Sequence, residues 1–326
     1  MIAVTGSTGL LGSQIVRTLV ESGHKVVAIK RETSNPHLLK DIYSSVVWRD
    51  ADILDSIELE EALQDVSIVI HAAAMVSLHP RDKKRLMQVN VEGTANVVNC
   101  CLSQKISKLI HISSVAAVGR PRKMISVDEN QKWVDGPYNS TYAESKYLAE
   151  LEVMRGQEEG LNTVLLNPSA ILAPADTTRS TGKLFEYVLE QRRFYVDGFI
   201  NYVSVRDVAT IVERFISLDA PGQRFIVNGG STSYKELFES IAKHLHKRAP
   251  SIRVPQPLIG LLAKASTVFS MLTGADPLIT TEVARITAQS IVYNNQKISK
   301  LLQYEFEPLD HTLEWCAKYY LNAYKV

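Results

Sequence analysis

Along the first half of the chain, short β-branched apolar runs alternate with stretches of helical spacing. Ile2 to Thr5, Lys25 to Lys30, Ser45 to Arg49, Ile68 to Ala72, Lys108 to Ser113, Thr163 to Asn167 and Arg224 to Asn228 read as strands. Ser13 to Ser22, Ile57 to Leu63, Lys83 to Ser103 and Tyr142 to Glu159 read as helices. This alternation specifies β-α-β units and a parallel sheet, and runs this apolar imply burial on both faces. The rhythm breaks after Pro168 into a polar, Pro-bounded loop from Ala173 to Gly182, and after Gly229 the pattern is mainly helical. The expected architecture is α/β, a doubly wound parallel sheet with a second, smaller and mainly helical lobe. Residues 1–168 and 205–229 are assigned to the sheet domain, 169–204 and 230–326 to the lobe.

The 326 residues, 45% of them hydrophobic, suffice for one large core and slightly exceed the size at which single cores divide. Lys and Arg number 36 against 35 Asp and Glu, so no basic field exists to attract nucleic acid, and none is expected as a partner. Of three cysteines, Cys100 and Cys101 lie side by side in an apolar helical pattern. They form no disulfide framework and suit a reducing compartment. A strand beginning at Ile2 leaves no room for a secretory signal, so a cytoplasmic location is expected. The apolar stretch Leu258 to Leu272 is interrupted by Lys264, Ser266, Thr267 and Ser270, falls short of a membrane span, and reads as a buried or cleft-lining helix.

Chemistry enters where the first strand runs into Thr5-Gly-Ser-Thr-Gly-Leu-Leu-Gly12 and then a helix. Glycines permit a tight turn and close approach of a pyrophosphate, and a helix N-terminus attracts the anion. Their spacing departs from G-x-G-x-x-G; the position between first strand and first helix makes this a nucleotide site. Gly6, Thr8, Gly9, Leu10, Leu11 and Gly12 are the expected binding residues. At the end of the second strand an acidic residue would accept from a free ribose 2′-hydroxyl, but Lys30 and Arg31 stand there. Two cations suit a 2′-phosphate, so NADP(H) is favoured with NAD(H) as the alternative. The plainer reading is of solvated strand-end residues, with Glu32 adjacent.

Tyr-x-x-x-Lys occurs twice. Tyr293 to Lys297 is interrupted by Asn294-Asn295, a turn pair, whereas Tyr142 to Lys146 opens a helix on which residues four apart share a face. A tyrosine is a poor proton shuttle at neutral pH until a nearby ammonium stabilises its phenolate. The strand ending at Ser113 and Ser114 adds a hydroxyl at the carboxyl edge of the sheet, where open α/β sheets bind ligands. No G-x-S-x-G, H-E-x-x-H or Walker signature is present, and no metal is expected.

With these segments, together with Asp52 to Asp55, His71 to Ser77, Asn90 to Thr94, Ser113 to Gly119, Asn167 to Pro174 and Tyr202 to Ala209, the chain resembles the extended short-chain dehydrogenase/reductase (NAD-dependent epimerase/dehydratase) family, most of all its dihydroflavonol-reductase-like branch. The resemblance implies a Rossmann domain and hydride transfer between nicotinamide and a carbonyl or secondary alcohol. It implies Ser114 as the catalytic hydroxyl, five residues before Gly119, with Tyr142 as proton donor and Lys146 tuning the tyrosine and holding the nicotinamide ribose. It further implies Asp52 and Ile53 at the adenine, Ala72, Ala73 and Ala74 along the cofactor path, and Pro168 and Ile171 beside the nicotinamide. Asn90 anchors a water or helix backbone near Lys146, or simply starts a helix. A homodimer through Leu86 to Ser103 and Tyr147 to Glu159 is expected, acting on a small-molecule substrate. Ala173, Val118 and Ser204 depart from residues common in the family. A nucleotide-sugar epimerase, a steroid-type hydroxyl dehydrogenase and a non-catalytic cofactor sensor are the alternatives.

Overall fold

Alternate side chains of the sheet strands enter two separate cores: Ile2, Val4, Ile110, Ile112, Val164 and Leu166 pack on one face, Ala3, Leu109 and Leu165 on the other. The computed structural model describes residues 1–77, 79–119, 126–136, 139–175, 181–255, 258 and 291–324. The first half runs β1 (Ile2–Thr5), α1 (Leu10–Glu21), β2 (Val26–Lys30), β3 (Val47–Asp50), α2 (Ser56–Ala62), β4 (Ile68–His71), α3 (Lys83–Met87), α4 (Gly93–Ser103) and β5 (Lys108–Ile112). There follow β6 (Ser126–Val127), α5 (Thr141–Glu158), β7 (Thr163–Pro168), β8 (Ala170–Leu172), α6 (Gly182–Leu189), β9 (Phe194–Val196) and β10 (Phe199–Ser204). Then come α7 (Val205–Ser217), β11 (Gln223–Val227), β12 (Gly230–Ser233), α8 (Tyr234–Leu245), β13 (Ile252–Val254), β14 (Val292–Tyr293) and two further helices, Gln296–Leu302 and Leu309–Tyr324.

Seven strands pair in parallel in the order β11-β7-β5-β4-β1-β2-β3. The chain winds one way from β1 to β3 and the other way from β4 to β11, so the topological switch point lies between β1 and β4, where open sheets of this kind bind ligands. Thr5, His71 and His111 fall in one row across β1, β4 and β5.

The expected helix from Lys83 to Ser103 is one continuous rod, but α3 and α4 are joined by a π-turn, Gln88–Glu92. After Gly229 the described residues are mainly helical, as expected, and short strands join the helices. Strand β12 pairs antiparallel with β10, which also pairs parallel with β8, while β13 joins β9 and β14 joins β6. The strands added after Gly229 are two to four residues long, and Gly230-Ser-Thr-Ser233 has no apolar alternation to announce it. A third core, with Leu172, Phe185, Leu237, Ile241, Leu313 and Tyr320, gathers α6, α8 and the C-terminal helix away from the central sheet. Of the apolar stretch Leu258 to Leu272 only Leu258 is among the described residues, and residues 176–180 of the expected loop also lie outside them. Among the described residues no helix is long and apolar enough to cross a membrane. The three cysteines are buried as thiols.

Candidate active site

The turn after β1 is held by backbone constraint. Gly6 has φ +67°, and a Cβ there would sit 2.7 Å from the Ala73 backbone, while one on Gly12 would fall 2.1 Å from the Gly6 carbonyl oxygen. Only glycine fits either place. Helix α1 starts at Leu10 with no side-chain cap and no acidic residue in its first turn, so its leading N–H groups face the turn as an anion site. Residues Thr5 to Gly12 thus form a turn closed by backbone packing at Gly6 and Gly12 and followed by an uncapped helix N-terminus, and they fit a dinucleotide pyrophosphate.

Ala72 to Ala74 follow β4 directly, and the Ala73 N–H donates to Thr5 Oγ1 at 3.3 Å. Ile53 is buried against Gly93, where a Cβ would meet its Cδ1 at 2.6 Å. Asp52 turns the chain, its Oδ1 accepting from the Leu54 N–H at 3.0 Å. A cleft of about 350 Å³ opens beside β2 and β3, lined by Arg31, Thr33, Asp50, Asp52 and Glu58. Lys30 is ion-paired with Asp50, and Glu58 accepts from the Asp52 N–H at 2.9 Å. Arg31 has no ion pair among the described residues.

At the carboxyl ends of β5 and β7 three side chains converge. Ser114 caps a 3₁₀ turn, Val115–Val118, its Oγ accepting from the Ala116 N–H at 3.2 Å, and the same hydroxyl is near enough to the Tyr142 hydroxyl to favour its ionised form. Ser113 is buried, and its hydroxyl makes no hydrogen bond among the described residues. Tyr142 lies in the first turn of α5, which Ser140 caps by accepting from the Ala143 N–H at 2.9 Å. Burial raises the Tyr142 pKa, and the nearby Ser114 hydroxyl acts against it. Lys146, 2% exposed, donates to the Ile112 carbonyl at 2.8 Å. Burial draws its ammonium down to about 8, opposed by the Glu150 carboxylate.

Asn90 does more than start a helix. From the π-turn its Oδ1 accepts from the Met75 N–H at 2.7 Å, and its Nδ2 donates to the Met75 carbonyl and to Ser145 Oγ, both at 2.9 Å. It ties the segment after β4 to the catalytic helix. Thr94 spends its single proton on the Asn90 carbonyl at 2.6 Å, so it must accept from His71 Nε2 at 3.1 Å, which leaves His71 Nδ1 to accept from Thr5 Oγ1 at 2.7 Å. His71 is therefore neutral; burial and the nearby Lys146 push it down to about 3. Pro168 ends β7, and Ile171 lies on β8, outside the central sheet, where its carbonyl accepts from Thr181 Oγ1 at 2.7 Å. Tyr293 and Lys297 belong elsewhere: Tyr293 lies on β14, and Lys297 caps the Arg224 carbonyl at 2.7 Å from the next helix. Sequence reasoning missed Glu150 and the Thr5–His71–Thr94 chain. Glu150 was readable as a second four-residue step along the Tyr142–Lys146 face.

The pattern of the NAD dependent epimerase/dehydratase family matches residues 2–226. Fold and match together define an NAD(P)-dependent enzyme of the extended short-chain dehydrogenase type. The chain belongs to the NAD dependent epimerase/dehydratase family, which binds a nicotinamide cofactor. It is 29% identical over 300 residues to a Synechocystis protein named as a dihydroflavonol 4-reductase, covering 90% of this chain and 87% of that one. It is 27% identical over 332 residues to the decarboxylating sterol-4-alpha-carboxylate 3-dehydrogenase of Schizosaccharomyces pombe, covering 96% of each. The crystal structure of gox2253 superposes with a TM-score of 0.86 at 27% identity, covering 99% of this chain and 98% of that one.

Proposed function

We propose that this protein is an NADP(H)-dependent oxidoreductase interconverting a carbonyl and a secondary alcohol in a small, apolar substrate. The observation that carries this reading is the placement of Tyr142 one helical turn from the buried Lys146 ammonium, which is anchored on the Ile112 carbonyl two residues before Ser114, at the sheet edge where the glycine turn opens. The nicotinamide ring, when bound, supplies or accepts the hydride. Tyr142, whose phenol burial keeps protonated at neutral pH, donates its proton to the oxygen of the reduced carbonyl, and Ser114 hydrogen-bonds the same oxygen. Lys146 gives one N–H to Ile112 and keeps two for the ribose hydroxyls. A phenol that holds its proton favours the reductive direction. In that reading Asp52 and Ile53 border the adenine, Ala72 to Ala74 the cofactor path, and Pro168 and Ile171 the nicotinamide.

The sterol dehydrogenase relative supports an apolar ring system as substrate. We also assign residues 1–168 and 205–229 to cofactor binding and 169–204 and 230–326 to substrate binding, in a cytoplasmic homodimer. The test is NADPH consumption against aldehydes, aliphatic and fused-ring ketones and nucleotide sugars, with analysis of the cofactor retained on purification. Reduction of apolar ketones with freely exchanging NADPH is expected. Turnover of nucleotide sugars with retained NAD would replace this reading by the epimerase one.

A further inference from the structure

Glu150 is fully buried, one turn beyond Lys146 on the inner face of α5. Its Oε1 accepts from Asn167 Nδ2 at 2.6 Å, and its Oε2 is ion-paired with Arg224 of β11. The same Asn167 nitrogen donates to the Ser114 carbonyl at 2.8 Å. A carboxylate in a protein core is costly unless its charge is met, and the hydride-transfer reading gives this one no task. Arg224 answers it from β11, with its side chain 15% exposed.

The Lys146 ammonium needs an anion on its own account. The charged and titratable groups around it are Tyr142 and Glu150 on α5, His71 on β4 and His111 on β5, with Arg224 behind Glu150. Tyr142 is protonated, and burial keeps both imidazoles neutral. Glu150 is the one negative charge in that set.

We propose that Glu150 is a positioning residue of the active site: its carboxylate, held by Arg224 and Asn167, is the counter-charge of Lys146, and through Asn167 it fixes the backbone at Ser114. One buried acid thereby sets both the charge state of the lysine and the place of the serine. The proposal rests on the catalytic assignment of Lys146. Charge and position are separable, because glutamine in place of Glu150 keeps an oxygen for the Asn167 amide while removing the charge and the acceptor that Arg224 faces.

The experiment is the pH profile of ketone reduction by Glu150→Gln, Glu150→Asp and Arg224→Gln, each checked for melting temperature and for NADPH binding at pH 6. Reduction needs the charged lysine, so the rate falls as pH rises through the lysine pKa. Losing the carboxylate lowers that pKa, so Glu150→Gln should move the alkaline limb down by about one unit, equivalent to roughly tenfold in the protonation equilibrium. Glu150→Asp should restore most of the wild-type profile. Arg224→Gln removes a competing cation and should move the limb upward. A folded Glu150→Gln enzyme with a wild-type limb overturns the proposal. If that variant fails to fold, an unmoved or downward limb in Arg224→Gln overturns it instead. Substantial turnover by Lys146→Ala would sink the catalytic assignment itself, an outcome distinct from either.

Discussion

Lys30, at the end of β2, is ion-paired with Asp50 of the neighbouring strand β3. In the proposed NADP(H) reading the pair occupies one of the two cations assigned to the 2′-phosphate, and Arg31 is the one left for it. Of the carboxylates lining the cleft, Asp50 is ion-paired with Lys30 and Glu58 accepts from the Asp52 N–H, while Glu32 stands next to Arg31 in the chain.

Arg31→Ala should weaken NADPH binding by about 1.5 to 3 kcal/mol, roughly 10- to 150-fold, while leaving NADH binding nearly unchanged. Fluorescence titration with both cofactors measures this. Equal losses for the two would remove Arg31 as the discriminator.

Tyr142→Phe should bind cofactor normally and lose about 10²- to 10⁴-fold in turnover, because the ring still packs while the proton donor is gone. Lys146→Ala should lose turnover and cofactor affinity together. Substitution of Tyr293 or Lys297, which lie on β14 and the helix after it, should leave the chemical step unaffected. Retention of more than about a tenth of wild-type turnover by Tyr142→Phe, with chemistry rate-limiting, contradicts the proton-donor role.

The buried imidazoles set an acid limit on stability. His71 titrates near 3 in the folded protein and near 6.5 when unfolded. Between those values the unfolded chain binds more protons, so stability falls as pH drops below about 6.5, by about 1.4 kcal/mol per pH unit for this residue. His111 shifts in the same direction. Urea unfolding from pH 7 to 4 should show the slope, and His71→Gln should flatten it although it lowers stability at pH 7. An unchanged slope in that variant would exclude His71 as its source.

Helix α5 packs beside α4 and shows two large apolar side chains to solvent three residues apart, Leu151 at 41% and Met154 at 36% exposure. In the proposed homodimer these residues are covered, so light scattering at micromolar concentration should give a dimer and Leu151→Glu a monomer. A monomeric wild type would reject this interface.

Much of the sheet was legible because β-branched runs buried on both faces need no register to be recognised. Tyr142 and Lys146 were legible because four-residue spacing on a capped helix is a local property. What escaped reading depends on contacts across strands. Lys30 and Asp50 lie twenty positions apart and meet only through the β2–β3 register. Glu150 reads as a solvated helical residue until Arg224 and Asn167 arrive from two other strands. Strand β12 has too little apolar content to be told from a loop.

The π-turn at Gln88–Glu92 has an evolutionary consequence. It holds one residue more than an α-turn needs, while α4 beyond it still directs Val97, Val98 and Cys101 into the core. Deleting a single residue there would join the two helical halves in the same phase and leave their packing in place. What would change is the register from which the buried Asn90 reaches Met75 and Ser145. A one-codon deletion would therefore cut the tie between the segment after β4 and α5 while sparing the fold.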